Sequence, residues 1–518
     1  MKSLPAWGCL CLSLAWAQTT PPAPPPQQPP ANPNAPEMNT REESATSFRT
    51  HVNLVMVPVV ARDAHGTAIG TLTKENFQLF DKGKLQEISR FSVEKVGTKA
   101  PLEANATPGI PQSGAEDKGH AVVVPDRFVA YLFDDVHLSV GDLPRIREAA
   151  ERHLGDLAPT DRAAIFTMSG TPLMDFTDNK NELRDALYRL KPNIMARAGS
   201  MSRGDTLTFG TLAAIKEVIG RLAIAPGQRT LVVISPGFFI TDPIFFQDRD
   251  DILDRAIRAN VIINALDARG LYTDPALDAS RNSAGRGLGT SLMRESIRSD
   301  ILAEMAYGTG GLFFQNSNNY DEGFKQLAAA PEYVYLLGFT PQNLKLDGSF
   351  HALRVVVKPS KDLNVQARKG YYAPRRLDSE EETAKQEIEA ALFSREEMSE
   401  LPIDLHTQFF KSDPANAKLA VLVHLNLKQF KFRKTEGRNN NVVTMVSGIF
   451  DRNGRYLQGI KKVLELRLKD DTLATRINNG ITIRTSFDIQ PGTYLVRLVV
   501  RDAEGQLMSA TNGAVDIP

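Results

Sequence analysis

Two adjacent carboxylates, an imidazole and a hydroxyl stand together at the end of one apolar run: Phe133-Asp134-Asp135-Val136-His137-Leu138-Ser139. Neighbouring carboxylates can separate their pKa values and support proton transfer, with His137 as a further acid or base. The same pair can instead attract a lysine or arginine from a partner, since two aspartates would repel an incoming carboxylate. A chemically silent reading has Asp134 and Asp135 capping the turn that follows them. Nothing elsewhere completes an enzyme. No Gly-x-Ser-x-Gly elbow, His-Glu-x-x-His or Gly-x-x-x-x-Gly-Lys-Ser/Thr occurs. Gly285-Arg286-Gly287-Leu288-Gly289 follows a polar loop rather than a buried strand, so it reads as a flexible loop and not a phosphate cradle. The eight histidines show no metal-ligand spacing; His137 reads as a loop-surface residue and His153 as lying on the polar side of a helix. The acidic pair has no nucleophile or oxyanion site beside it.

The elements that must position this segment follow from periodicity. Phe128-Val129-Ala130-Tyr131-Leu132-Phe133 predicts a strand buried on both faces, and Leu143, Ile146, Ala150, Leu154 and Leu157 then recur at helical spacing. Strand-like runs at 163–166, 231–234, 261–266 and 312–314 alternate with helix-like stretches at 183–190, 212–222, 252–257 and 297–306. Five strands separated by helices predict an α/β unit built on a doubly wound, Rossmann-like parallel sheet. Ligands of such sheets bind at the carboxyl ends of the strands, which is where Asp134 and Asp135 fall.

On either side the period drops to two. Residues 48–97 and 332–374 are expected to form the halves of one β-domain, separated by a linker (98–125) and by the α/β domain (126–331) inserted between them. A charged helical linker (375–400) leads to a C-terminal immunoglobulin-like β-sandwich (401–518), so the class is α/β plus all-β. The 518 residues, at about 150 per domain, suit three to four domains.

Composition and targeting narrow the function classes. Lys plus Arg equal Asp plus Glu at 61 each, which removes the basic field that non-specific nucleic-acid binding relies on. Cys9 and Cys11, the only cysteines, lie in a short apolar run that ends in Ala15-Trp16-Ala17, the form of a signal-peptidase site. Residues 1–17 are therefore read as a signal peptide and 18–47, with Pro24-Pro25-Pro26 and Pro29-Pro30, as a Pro-rich disordered linker. No later segment approaches the ~18 uninterrupted apolar residues of a spanning helix. The expected product is secreted, or held in the periplasm or cell envelope, with no membrane span after signal cleavage.

Asp134 to Ser139, followed by a helix, resembles the first metal-site segment of von Willebrand factor A domains. Leu72-Thr73-Lys74-Glu75-Asn76-Phe77, Ile234-Ser235-Pro236-Gly237, Ala259 to Asp267, Thr309-Gly310-Gly311 and Tyr335-Leu336-Leu337-Gly338-Phe339 resemble the bacterial, acidobacterial-type VWFA-related domain family, in the family's order from about residue 48 to 374. The resemblance implies a VWA-type fold and an Mg²⁺ site built from an Asp-x-Ser-x-Ser loop, a Thr on a second loop and an Asp after the fourth strand. This chain departs from that pattern. Asp135, Ser139 and Thr206, with Thr208 as the other choice for the Thr, are the residues left to hold metal; His137 stands where a hydroxyl belongs, and Ser235-Pro236-Gly237 replaces the expected Asp. The implied site is degenerate, and no cofactor beyond that Mg²⁺ is assigned.

The resulting expectation is an exported, non-enzymatic VWA-like adhesion or binding protein. It would offer the carboxyl-edge loops, with Asp134, Asp135, His137 and Ser139 as ligand-binding residues, to a protein or cell-surface ligand. The alternatives are a hydrolytic enzyme using Asp134, Asp135 and His137, and a purely structural subunit of a cell-envelope assembly.

Overall fold

The structure is a computed structural model. It describes residues 36–44, 55–63, 68–95, 102–103, 121–122, 125–170, 172–193, 202–240, 243–271, 288–328, 332–341, 347–358, 363–373, 380–394, 397–411 and 413–518. The signal segment, most of the Pro-rich stretch, most of the 98–125 linker and Gly285 to Gly287 lie outside the described residues.

The run that ends at Asp134 forms β1 (Arg127–Phe133), buried at every position after Arg127. The chain continues through α1 (Leu143–Gly155), β2 (Asp161–Thr167), β3 (Pro172–Thr177), α2 (Lys180–Arg189), α3 (Ser202–Ala223) and β4 (Gln228–Ser235). There follow α4 (Pro243–Arg258), β5 (Val261–Asp267), α5 (Leu288–Thr309), β6 (Phe313–Phe314) and α6 (Tyr320–Ala328). These strands make one six-stranded sheet in the order β3-β2-β1-β4-β5-β6.

The expected fold class needs correction. The sheet is mixed and not a doubly wound parallel one: β1, β2, β4, β5 and β6 pair in parallel, but β3 runs antiparallel to β2 along the edge. Every other described strand pairing in the chain is antiparallel, and helix accounts for only 27%. The physical reason lies in the connection. Only residues 168–171 separate β2 from β3, and a parallel return needs a crossover of about a dozen residues or more, so the chain folds back as a hairpin. Pro172–Thr177 gives no strand signal in the sequence because its side chains, mostly half-exposed, lack the unbroken apolar pattern of a central strand.

Alternate residues of β1 feed two apolar layers. Phe128, Ala130 and Leu132 pack with Leu212, Ile215, Val218 and Leu222 of α3, Ile252 and Ala256 of α4, and Leu302 and Met305 of α5. Val129, Tyr131 and Phe133 pack with Ile146 and Leu154 of α1, Leu183 and Leu187 of α2, and Phe324 and Leu327 of α6. Each fully buried Leu, Ile or Phe contributes about 1.5–3 kcal/mol, so this core fixes where β1 ends. His153 is half-buried against this layer rather than on the polar side of α1. Its Nε2 lies 2.8 Å from the Tyr131 hydroxyl and its ring stacks on Phe324. Burial holds its imidazole down at about 4.

Two further units flank the six-stranded sheet. Strands Val55–Arg62, Arg90–Lys95, Tyr333–Phe339 and Asn364–Ala367 form one four-stranded sheet, and Phe77–Asp81, Lys84–Gln86, Phe350–Val357 and Gly370–Tyr372 form another. Val57, Val59, Leu79, Tyr335, Leu337 and Phe339 fill the space between the two. After helix Glu380–Phe393, a seven-stranded sheet and the three strands Ile403–Lys411, Ala417–Leu425 and Ile481–Ile489 enclose a second β core around Leu419, Val421, Ile449, Leu466 and Val496. The seven-stranded sheet includes Met38–Ser44, so the spacer reading of 18–47 does not extend to those residues.

Both units attach to the central sheet away from its carboxyl edge. At the start of β2, buried Arg162 donates to the carbonyls of Pro159, Asp161 and Arg452. At the start of β4, Arg229 donates to Ala225, Ala259 and Phe393 carbonyls, the last at 2.6 Å. Gly454 adopts φ +78° and comes so close to Phe128 that a β-carbon there would lie 2.2 Å from the ring. The other β unit attaches where α4 and α5 end: Ile257 enters its core, Gln366 donates to the Gly310 carbonyl at 2.7 Å, and Arg368 donates to Ile257 at 3.4 Å.

Candidate functional site

The parallel register brings Asp134, Ser235 and Asp267 to one edge, because Phe133 pairs with Ile234 and Ser235 with Asp267. The Asp134 amide continues the ladder by donating to the Ile234 carbonyl at 2.9 Å. The carboxylate of Asp134 is completely buried and saturated with donors. Its Oδ1 accepts from the amides of Val136 at 3.2 Å and His137 at 2.8 Å, and Ser235 Oγ donates to Oδ2 at 2.5 Å. His137 Nδ1 sits 2.9 and 3.0 Å from the two oxygens, so the proton belongs on Nδ1. Ser235 Oγ in turn accepts from the Gly237 amide at 2.9 Å, and the His137 ring stacks on Phe238.

Asp135 points toward β2 instead. Its Oδ1 accepts from the Ser169 amide at 2.9 Å. Burial pushes its carboxyl above the usual aspartate range, with Ser169 opposing and the charge of Asp134 adding to the rise. Ser139 lies past the turn, where its hydroxyl donates to Asp142 and accepts from the Asp142 amide at 3.1 Å. Thr208 Oγ1 donates to the Phe239 carbonyl at 3.5 Å. Thr206 falls early in α3, where its side chain lies outside the described residues.

These residues do not fit the Mg²⁺ site that the resemblance implies. Magnesium needs near-octahedral oxygen ligands with lone pairs turned toward the ion. Here the Asp134 oxygens face N–H and O–H donors, Asp135 turns to the neighbouring strand, and Ser139 bonds the first turn of α1. Among the described residues no group of three or more His, Cys, Asp or Glu could hold a metal ion. Proton transfer is also poorly served. Asp134 orients His137 as it would a general base, but Ser235 donates its proton to the carboxylate at 2.5 Å and not to the imidazole. What the network does well is fix a loop: one carboxylate ties the end of β1 to the end of β4.

Apolar periodicity does not mark the residues that this loop carries outward. Phe238-Phe239 and Phe245-Phe246 are apolar doublets after β4, and each splits: Phe238 and Phe245 enter the core while Phe239 and Phe246 stay exposed. Phe209 on α3 is 60% exposed, and Val140 and Leu271 extend the apolar rim. The Arg298 guanidinium lies 5.9 Å over the Phe239 ring and its Nε donates to the Gly237 carbonyl at 3.0 Å. Arg249 lies 5.2 Å over Phe246. Gly237, at φ +82°, has no room for a β-carbon, which would stand 2.1 Å from the Arg298 carbonyl.

No family model matches the chain, and no curated protein matches it. Among solved structures it is similar to an aerotolerance-related membrane protein from Bacteroides fragilis, at 16% identity over 39% of this chain and 98% of that one, with a TM-score of 0.26. It is also similar to proximal thread matrix protein 1 from the mussel byssus, which has a zinc-occupied MIDAS motif, at 12% identity over 41% and 48% with a TM-score of 0.24. Three N-terminal domains of the type V pili tip protein Mfa5 from Porphyromonas gingivalis match at 9% identity over 84% and 78%, TM-score 0.26. All three likenesses stand at 16% identity or less with a TM-score of 0.26 or less. No described helix is long and apolar enough to cross a membrane.

Proposed function

We propose that this chain is an exported, non-enzymatic binding protein of VWA-like type. In this reading the carboxyl-edge loops of the six-stranded sheet meet a protein or cell-surface partner without metal. The observation that carries it is a division of labour between the two ends of the sheet. The bonds that attach the flanking units lie at the amino ends of β2 and β4, at the ends of α4 and α5, and along α4 at Asp250, which bonds Tyr372, whereas the carboxyl rim exposes Phe209, Phe239 and Phe246 beside Arg298. Aromatic and arginine side chains dominate the binding energy of protein interfaces, and a fixed loop reduces the entropy lost on docking.

A photo-reactive residue at position 239, used in the native envelope, tests this reading. A defined partner should crosslink from 239 and not from exposed Phe410, and the crosslink should weaken in a Phe209→Ala, Phe246→Ala background. Equal labelling from both positions, or substrate turnover by the purified protein in an unbiased hydrolase screen, would remove the proposal.

A further inference from the structure

The segment Met38–Ser44 lies on the open edge of the seven-stranded sheet, antiparallel to strand Tyr456–Leu468, in a register running from Met38 opposite Leu466 to Ser44 opposite Ile460. More than four hundred residues separate the two strands in sequence. Residues 38–42 are all exposed and contribute no side chain to either β core nearby. Its hold is main-chain pairing plus charge. The Arg467 amide donates to the Glu37 carbonyl at 2.8 Å, the Lys469 amide donates to Glu37 Oε2 at 3.1 Å, and Glu42 meets Lys462 at 3.0 Å. The backbone contact with Lys469 holds the Glu37 carboxyl below its ordinary range.

An edge strand left bare exposes a row of unpaired N–H and C=O groups that invites a further strand. Here the edge is closed by a strand with no apolar anchor, so its release uncovers the pairing row without opening a core. We infer that this arm is exchangeable and that the edge of Tyr456–Leu468 is an assembly site for the same arm of a second copy. The choice of occupant rests on charge complementarity. Glu37 and Glu42 match Lys469 and Lys462 in a register that a second copy reproduces residue for residue. Reciprocal exchange between two copies conserves every bond named above, which is how swapping an element makes a closed dimer at low cost. This inference is independent of the rim: it concerns a different unit and a different sheet.

Cysteine trapping in the full-length chain, with Cys9→Ser and Cys11→Ser as background, tests it. Asn39 and Glu465 are register partners. A chain carrying both Asn39→Cys and Glu465→Cys should form the 39–465 disulfide, within one chain when the arm is home and between two when it is exchanged, which checks the register. Mixing one copy carrying Asn39→Cys with another carrying Glu465→Cys should give a covalent dimer. A paired arm presents its thiol at an effective concentration of order 1 mM, so at ~0.1 mM chain the yield should be about tenfold above a control pair with Lys325→Cys in place of Glu465→Cys. High salt, which screens the Glu42–Lys462 pair, should speed exchange. Dimer no more abundant than in the Lys325 control overturns the proposal, as does failure of the double variant to form the 39–465 disulfide either within one chain or between two.

Discussion

Replacing Ser235 with Ala removes one hydroxyl from the centre of the rim network, and its cost can be worked from two contacts. Ser235 Oγ donates to the buried Asp134 carboxylate at 2.5 Å and accepts from the Gly237 amide at 2.9 Å. A hydrogen bond to a charged group contributes about 1.5–3 kcal/mol, and a buried donor left without its acceptor costs a further 1–3 kcal/mol. Because the methyl group preserves most of the side-chain volume, the packing penalty is small, and a local loss of about 2 kcal/mol is a lower bound. A chain with several cores has no single unfolding free energy, so the fitting assay is amide hydrogen exchange resolved to peptides covering residues 133–140 and 234–240. A loss of about 2 kcal/mol corresponds to exchange faster by roughly 30-fold in those peptides. Peptides from the C-terminal sheets should be unchanged. If protection at 133–140 changed by less than about threefold, the carboxylate would not depend on Ser235, and the reasoning that Asp134 is spent inside the protein would be wrong.

Three further outcomes follow from the same geometry. Calorimetric titration with Mg²⁺ or Mn²⁺ should be silent for the wild-type chain and for Asp135→Ala alike; binding heat lost in the variant would restore a metal site. Gly237→Ala sets a β-carbon 2.1 Å from the Arg298 carbonyl at a φ of +82°, and should lower the thermal midpoint of the central unit by an amount equivalent to more than about 2 kcal/mol; an unchanged midpoint would mean that the loop is not clamped against α5. His153 titrates near 4 in the folded chain against 6.5 unfolded, so the folded state binds fewer protons, and its contribution is complete above pH 6.5 and lost as pH falls from there through about 4. His153→Gln should flatten the thermal midpoint across that window, and a pH profile identical to wild type would show that His153 does not set it.

Strand positions in the central unit were legible because burial on both faces leaves an unbroken apolar run, as at Phe128 to Phe133. Pairing direction was less so. Pro172–Thr177 carries half-exposed side chains on an edge, and only the short link from Thr167 forces it antiparallel. Met38–Ser44 was invisible for a related reason: it has no apolar alternation, and its pairing partner lies beyond residue 450. At the rim, residue types showed that Asp134, Asp135 and His137 stand together, but not which way their lone pairs face. That depends on Ser235 and the amides of the following turn, which enter only through the parallel register of β1 with β4.

That register also changes what the rim can do in the proposed role. A partner that docks on exposed aspartates must strip water from them, and this desolvation offsets much of the attraction gained. Here the cost has already been met within the fold, since Asp134 has exchanged water for protein donors and Asp135 is buried to the point that its carboxyl is harder to ionise. The groups left facing outward are rings and the Arg298 guanidinium over one of them, which lose little hydration on contact. Asp134 and Asp135 therefore act as the frame, and the contact surface falls to Phe209, Phe239, Phe246 and Arg298. In binding, Phe239→Ala should weaken a partner by removing contact area, whereas Asp134→Ala should weaken it only by letting the loop move. The two are separable, because only the second variant also loses hydrogen-exchange protection at residues 234–240.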